Sequence, residues 1–349
     1  MTSEELLKLV KEGETIHECD LSNSDYSGID LAGGLFINVN FNNCNFSGAD
    51  LRETVFNNCS LNGVCFNNVN LHLSCLNNCS ISNGDLSNLQ SISVQFIECD
   101  LSGCDFSDSD LTMAAIANSK LNNARFIGAN MDRTSILETE TEGLNLSNTY
   151  FKQTIFLKAD LRTSNLENSE FELVIFIEAN LSGLSLKNQS FVLCQFMDAD
   201  LSGSDLSDAD LTKCNFKGSV LTRTNFDRSI ANNALFVEAE LANSSMKNMQ
   251  LYQSVFLKAQ VTNVDFTGSK MQQCNFKSAN CTAAMFMNTD LTYTDFSHAV
   301  LQEADFSRAS LFRVNFHQVL DKNARYTDRE SALSHDEPLI EAENWMNIH

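Results

Sequence analysis

Proline is almost missing from this chain: Pro338 is the only one in 349 residues. Charge is sparse as well, at 19% of residues against 43% hydrophobic. Disordered chains show the opposite balance, with more charge and proline and fewer large apolar groups. The composition therefore predicts a folded protein whose 25 phenylalanines supply much of its core. Long hydrophobic runs are absent too, so no segment is expected to span a bilayer and no membrane contact is predicted. Met1 to Gly13 holds Glu4, Glu5 and Glu12 beside a short apolar run, unlike a secretory leader. A cytoplasmic location is the expectation, with secretion as an effector by another route left open.

Catalytic signatures are missing in the same way. There is no P-loop, no dinucleotide-binding glycine motif, no metalloprotease histidine pair and no nucleophile elbow. The histidines are scattered in sequence at His17, His72, His298, His317, His335 and His349, which gives no metal-ligand spacing. A non-enzymatic protein without cofactor or metal is the resulting expectation. Twelve cysteines invite a disulfide reading. Nine of them (Cys19, Cys44, Cys59, Cys79, Cys99, Cys104, Cys194, Cys214, Cys274) share one slot in the pattern described next, where Ala, Ser, Thr or Val otherwise stand. They read as small buried hydrophobes.

What the chain does have is a period. From Ile16 to Phe316 an apolar residue recurs at every fifth position, 61 centres in one register, with only Ser91 and Thr141 outside the apolar set. A five-residue period matches neither helix nor flat strand. It implies a repeat architecture, and it overrides the two-domain expectation that length alone would give. Writing the centre as i, position i−2 is small (Ala49, Ala129, Ala159, Ala199, Ala209), and this is the slot of the nine cysteines. Position i−1 is often Asp or Asn, and i+1 and i+2 are commonly polar or glycine. One large and one small inward residue cannot bury a face alone, but stacked copies make a continuous core.

Segments such as Ala199-Asp200-Leu201-Ser202-Gly203 and Ala209-Asp210-Leu211-Thr212-Lys213 resemble the A-(D/N)-L-x-x motif of the pentapeptide repeat family. The likeness covers about nine-tenths of the chain. It implies an all-β fold, a right-handed quadrilateral β-helix with one pentapeptide per side and twenty residues per coil. The chain supports that coil length independently: centres 156, 176, 196, 216, 236, 256, 276, 296 and 316 are all phenylalanine, while those five residues away are mostly leucine. Stacking at strand spacing then gives a phenylalanine ladder, and the whole would be a rod on the order of 72 Å long. The unbroken register leaves no room for projecting loops. Three regions follow: a capping helix over 1–14, opened by Ser3; the solenoid over 15–318; and a partly helical cap or tail over 319–349.

Two surfaces are candidates for function. The first is acidic. Net charge is −22, and Arg52 is the only base between Glu18 and Ser119. Asp20, Asp25, Asp30, Asp50, Asp85, Asp100, Asp105 and Asp110 all lie in this region at position i−1. Their recurrence follows the repeat motif itself rather than a carboxylate pair or a calcium site. The family resemblance implies a use for them: mimicry of duplex DNA at a type II topoisomerase, with DNA gyrase as partner and no direct nucleic-acid binding. Residues 16–119 carry 12 acids against one base. Their net −11 over roughly 25 Å compares with about 15 charges on duplex DNA of that length.

The second surface is apolar. On the phenylalanine-ladder face the flanking positions include Ile97, Leu137, Leu157, Ile177, Met197, Val237 and Leu257 at i+1, and Ile155, Ile175, Leu235 and Val255 at i−1. Charged residues at i+2, among them Glu138, Lys158, Glu178, Glu238 and Lys258, would rim this stripe. A contiguous exposed apolar band marks a contact surface, here for another protein or a second copy. The sequence-level reading is a binding or scaffold protein using this stripe, with the gyrase-directed mimic as alternative and a bacterial effector or secretion-system accessory as a third.

Overall fold

The computed structural model describes residues 1–346; residues 347–349 of the expected tail, His349 included, lie outside the described residues. The fold is a parallel β-solenoid of about 16 turns with a small helix at each end. It divides into two compact units, Met1–Asn180 and Leu181–His349. Residues twenty apart pair in parallel, and four ladders serve each turn. In the first unit these pair Leu35 with Val55, Asn40 with Ser60, Asn45 with Cys65 and Asp50 with Asn70.

One repeat shows why the sequence folds this way. In Ala209–Lys213 every backbone N–H has its own acceptor. The Ala209 N–H closes a turn on the Leu206 carbonyl at 3.2 Å, and that of Asp210 reaches back to Gln189 at 2.9 Å. The Leu211 and Lys213 groups reach forward to Ile230 at 2.6 Å and Asn232 at 2.9 Å. The fifth, on Thr212, donates to the side-chain Oδ1 of Asp210 at 3.0 Å. Asp or Asn at i−1 is therefore the residue that completes the hydrogen bonding of its own corner.

Position i+2 turns that corner with left-handed backbone: Asn118 has φ of 49°, Asn148 56° and Asn188 60°. Asn and Gly tolerate this region and β-branched residues resist it, which accounts for the polar-or-glycine character of the slot.

Centres and i−2 residues fill the interior. In the second unit the phenylalanine ladder is continuous from Phe196 to Phe316, with ring centroids 5.0, 5.0, 4.7, 4.4, 4.9 and 5.6 Å apart in successive steps. The two polar centres are buried and satisfied. Ser91 Oγ donates to the Asp110 carbonyl at 2.9 Å, and Thr141 Oγ1 to that of Asp160 at 2.8 Å. All twelve cysteines are free thiols; eight of the nine in the i−2 slot are buried and Cys19 is half-buried.

The first unit carries a nine-stranded parallel sheet along one face, from Thr15–His17 to Ile175–Ile177. Its i−1 residues are Thr15, Leu35, Val55, Cys75, Gln95, Ala115, Ser135, Ile155 and Ile175. None is Asp or Asn, so no residue of that slot completes its corner as Asp210 does.

Helix α1 (Ser3–Lys11) closes the first unit, with Leu6 and Val10 buried. Its cap is Thr2 rather than Ser3. The Glu5 N–H donates to Thr2 Oγ1 at 3.2 Å, and the Thr2 N–H donates back to the Glu5 carboxylate at 2.8 Å. This reciprocal box needs the three-residue spacing that Thr2 has and Ser3 lacks. Ser3 instead ties the helix to the first turns through the Asp25 carbonyl at 3.0 Å. In the second unit the repeat runs past Phe316 on a second ring column: Arg325–Tyr326 pairs with Asp305–Phe306, and the Tyr326 ring stacks on Phe306 at 5.1 Å. The Arg329 guanidinium covers the Phe316 ring at 4.3 Å. Helix α2 (Glu337–Met346) follows.

Candidate functional site

The sheet of the first unit places six of the expected stripe residues. Leu137, Leu157 and Ile177 stand in one register, as do Ser135, Ile155 and Ile175. Leu137, Ile155, Leu157, Ile175 and Ile177 thus form one patch over three adjacent strands. Ile97 lies two strands away, beyond Ala117. All six are half-buried, because neighbours one coil apart shield each other's flanks. Leu35, Ile37 and Val55 extend the same face toward α1; their position beside centres 36 and 56 was the signal available for them.

In the second unit the stripe is not continuous. Leu235 and Val255 are ladder neighbours, with Val237 and Leu257 beside them. Asn215 and Lys217 precede this group and Asn275 and Lys277 follow it, separating Met197 from the rest. Leu235 is the only one of the eleven stripe residues that is exposed rather than half-buried, at 39%. Leu73 and Met113, among the most exposed large apolar side chains of the first unit, sit at corner positions i+2 on another ladder.

The acidic residues are spread over three ladders. Asp20 and Asp100 share one, Asp25, Asp85 and Asp105 a second, and Asp30, Asp50 and Asp110 a third. In each, Oδ1 accepts the backbone N–H two residues on, at 3.0 to 3.2 Å. Those N–H groups are the main cause holding the Asp20 and Asp25 carboxyls below their ordinary range. Lys11 does the same first for Asp30, and Arg52, 2.6 Å from Asp50, for that residue. One oxygen of every carboxylate is thus committed to its own corner. A depression of ≈ 400 Å³ on the third ladder is lined by Arg52, Asn70, His72, Gln90, Ile92 and Asp110. Its groups are engaged with the fold: Arg52 with Asp50, His72 Nδ1 with the Ile92 carbonyl at 2.9 Å, and Asp110 with Thr112.

The repeat geometry has a counterpart among known families. Pentapeptide repeats match eight stretches: 35–72, 74–112, 145–183, 179–218, 194–230, 219–256, 258–292 and 289–319. The chain belongs to the pentapeptide repeat family. Proteins of this family are generally structural or binding proteins, and no catalytic family is indicated. No curated protein matches the chain. Among solved structures it is similar to full-length QnrB1, a plasmid-mediated fluoroquinolone resistance protein, at 20% identity over 62% of this chain and 85% of that one, with a TM-score of 0.27. It is also similar to HetL, involved in heterocyst differentiation regulation in the cyanobacterium Nostoc sp. strain PCC 7120, at 18% identity over 90% and 96% of the two chains, with a TM-score of 0.18. A pentapeptide repeat protein of the Arabidopsis thaliana thylakoid lumen gives 25% identity over 32% and 67%, with a TM-score of 0.22. These likenesses carry no functional argument. Among the described residues no helix is long and apolar enough to cross a membrane.

Histidines that are scattered in sequence converge at the end of the second unit. His298 Nε2 lies 3.1 Å from Glu343 Oε1, and His317 Nε2 lies 3.3 Å from Oε2. His298 and His317 follow centres 296 and 316, one turn apart, and α2 supplies the glutamate. Only the turn length and the fold of the tail bring the three together, so residue spacing could not reveal them.

Proposed function

We propose that this protein is a non-catalytic binding protein whose contact surface is the apolar sheet patch of the first unit. The observation that supports this is the common register of Leu137, Leu157 and Ile177 with Ile155 and Ile175 beside them. Five large apolar side chains flank the buried column on a face otherwise free of need for them. The occupant is a protein surface of the same character, and a second copy of this chain supplies one. Along one edge of the patch run Glu138, Lys158 and Glu178, with Glu138 and Lys158 paired at 2.7 Å. An edge bearing both charge signs suits a contact between identical surfaces.

The test is oligomeric state. Light scattering across a concentration series is expected to find a dimer in the wild type. Leu157→Asp with Ile177→Asp should give a monomer with unchanged far-ultraviolet dichroism. A wild-type monomer at every concentration would remove the reading.

The gyrase-directed mimic is a second reading. It draws support from ladder neighbours that are both acidic, Asp30 with Asp50 and Asp85 with Asp105. It is weakened by their distribution over three ladders and by the corner bonds of Oδ1. A supercoiling assay at low salt separates the two: mimicry requires inhibition that fades as salt rises.

A further inference from the structure

His298, His317 and Glu343 place one ligand atom each within 4.8 Å of one another. We propose that they bind a single divalent transition-metal ion, with zinc as the reference ion, and that this ion fastens α2 to the last turns of the second unit. Two imidazoles and one carboxylate are a ligand set for zinc and its neighbours in the first transition row rather than for calcium or magnesium. Metal–nitrogen and metal–oxygen bonds of about 2.0–2.2 Å put adjacent ligand atoms about 3 Å apart. The nitrogen–oxygen separations of 3.1 and 3.3 Å already have that size, each to a different oxygen of Glu343, and the wider separations in the group, up to 4.8 Å, must shorten on loading.

The site is held in shape. The His317 side chain is buried at 1% exposure, and Gln318 Nε2 donates to Glu343 Oε2 at 3.0 Å. Loading requires the protons to move, because both Nε2 atoms face oxygens of Glu343. Without metal, the Asp336 N–H donates to His317 Nδ1 at 3.2 Å, so the ring proton sits on Nε2 and points at Glu343. A metal takes the Nε2 lone pair of each ring, so the hydrogen bonds from both Nε2 atoms to Glu343 are given up and the ring proton of His317 moves to Nδ1. Asp336 then faces Nδ1–H with its own N–H and must turn away; one oxygen of its carboxylate accepts the Leu339 N–H at 3.1 Å, and the other is suited to accept the Nδ1 proton. A histidine ligand backed by a carboxylate is the usual outer arrangement in metal sites. Loading therefore exchanges the two histidine–Glu343 hydrogen bonds and the Asp336–His317 bond for metal ligation, and leaves a local mark at residue 336.

The full-length protein, equilibrated with Zn²⁺ and desalted, is expected to retain one zinc per chain by elemental analysis. Glu343→Gln and His298→Ala should each weaken Zn²⁺ binding by at least about tenfold in calorimetry. Both positions lie outside the packed interior, so dichroism should be unchanged. His72→Ala should bind as the wild type does. Co²⁺ in place of zinc should give a visible ligand-field spectrum without thiolate charge transfer, and the Asp336 amide resonance should move on zinc addition. The proposal is overturned by substoichiometric zinc, by wild-type affinity in Glu343→Gln and His298→Ala, or by a thiolate band that places the ion on cysteine.

Discussion

Asn118 has φ of 49° and an exposed side chain, so its backbone rather than its contacts decides what can replace it. A β-branched residue in that region carries strain of order 1–3 kcal/mol. Asn118→Val is therefore expected to lower unfolding free energy by about that amount, and Asn118→Gly by much less, in denaturant titration. Equal effects of the two would show that the corner does not need left-handed backbone. The preference for Asn and Gly every fifth residue is plain in the sequence, but its reason is a dihedral angle that no residue pattern states. His317 makes the same point in another way. Its neighbours in sequence say nothing of Glu343, because the partner arrives from a tail that lies outside the repeat.

At the scale of the repeat, the Asp at i−1 holds its corner as an ionised acceptor. Asp25 is the clearest case, with its carboxyl lowered chiefly by the Ser27 N–H. A lowered folded value means the stabilisation is full above the unfolded value of about 4 and disappears as pH falls through the folded value. Asn accepts the same bond without titrating, as Asn45 does from the Ser47 N–H at 3.0 Å. Asp25→Asn should thus leave stability near pH 7 almost unchanged and flatten its decline between pH 4 and lower values. An identical acid limb in the two proteins would count against the corner role. The five-residue unit, its turn of twenty and its inward and outward positions were all legible in the sequence. The continuity of the apolar stripe was not. Asn215, Lys217, Asn275 and Lys277 stand in the same column, and only the registered ladders show which members touch.

On the scale of the whole molecule, stability is close to a sum over turns and their nearest neighbours. Phe256 is fully buried between Phe236 at 4.7 Å and Phe276 at 4.4 Å. Phe256→Ala should cost about 3–5 kcal/mol. Hydrogen exchange should place that loss in the turns on either side of residue 256, with protection recovering within a few turns. A uniform loss throughout the second unit would show one cooperative block instead.

The parallel pairing of each turn with the next also sets how this protein could change size. A finished turn offers the next one the same row of carbonyls and amides it received, so nothing inside the stack says where growth should stop. That instruction sits at the extremities: the Thr2–Glu5 box with Leu6 and Val10 beneath it, and Tyr326 with Arg329 over the final rings. Twenty residues could be duplicated or deleted in the middle without disturbing any corner, whereas damage to either lid would leave a sticky edge open to other chains.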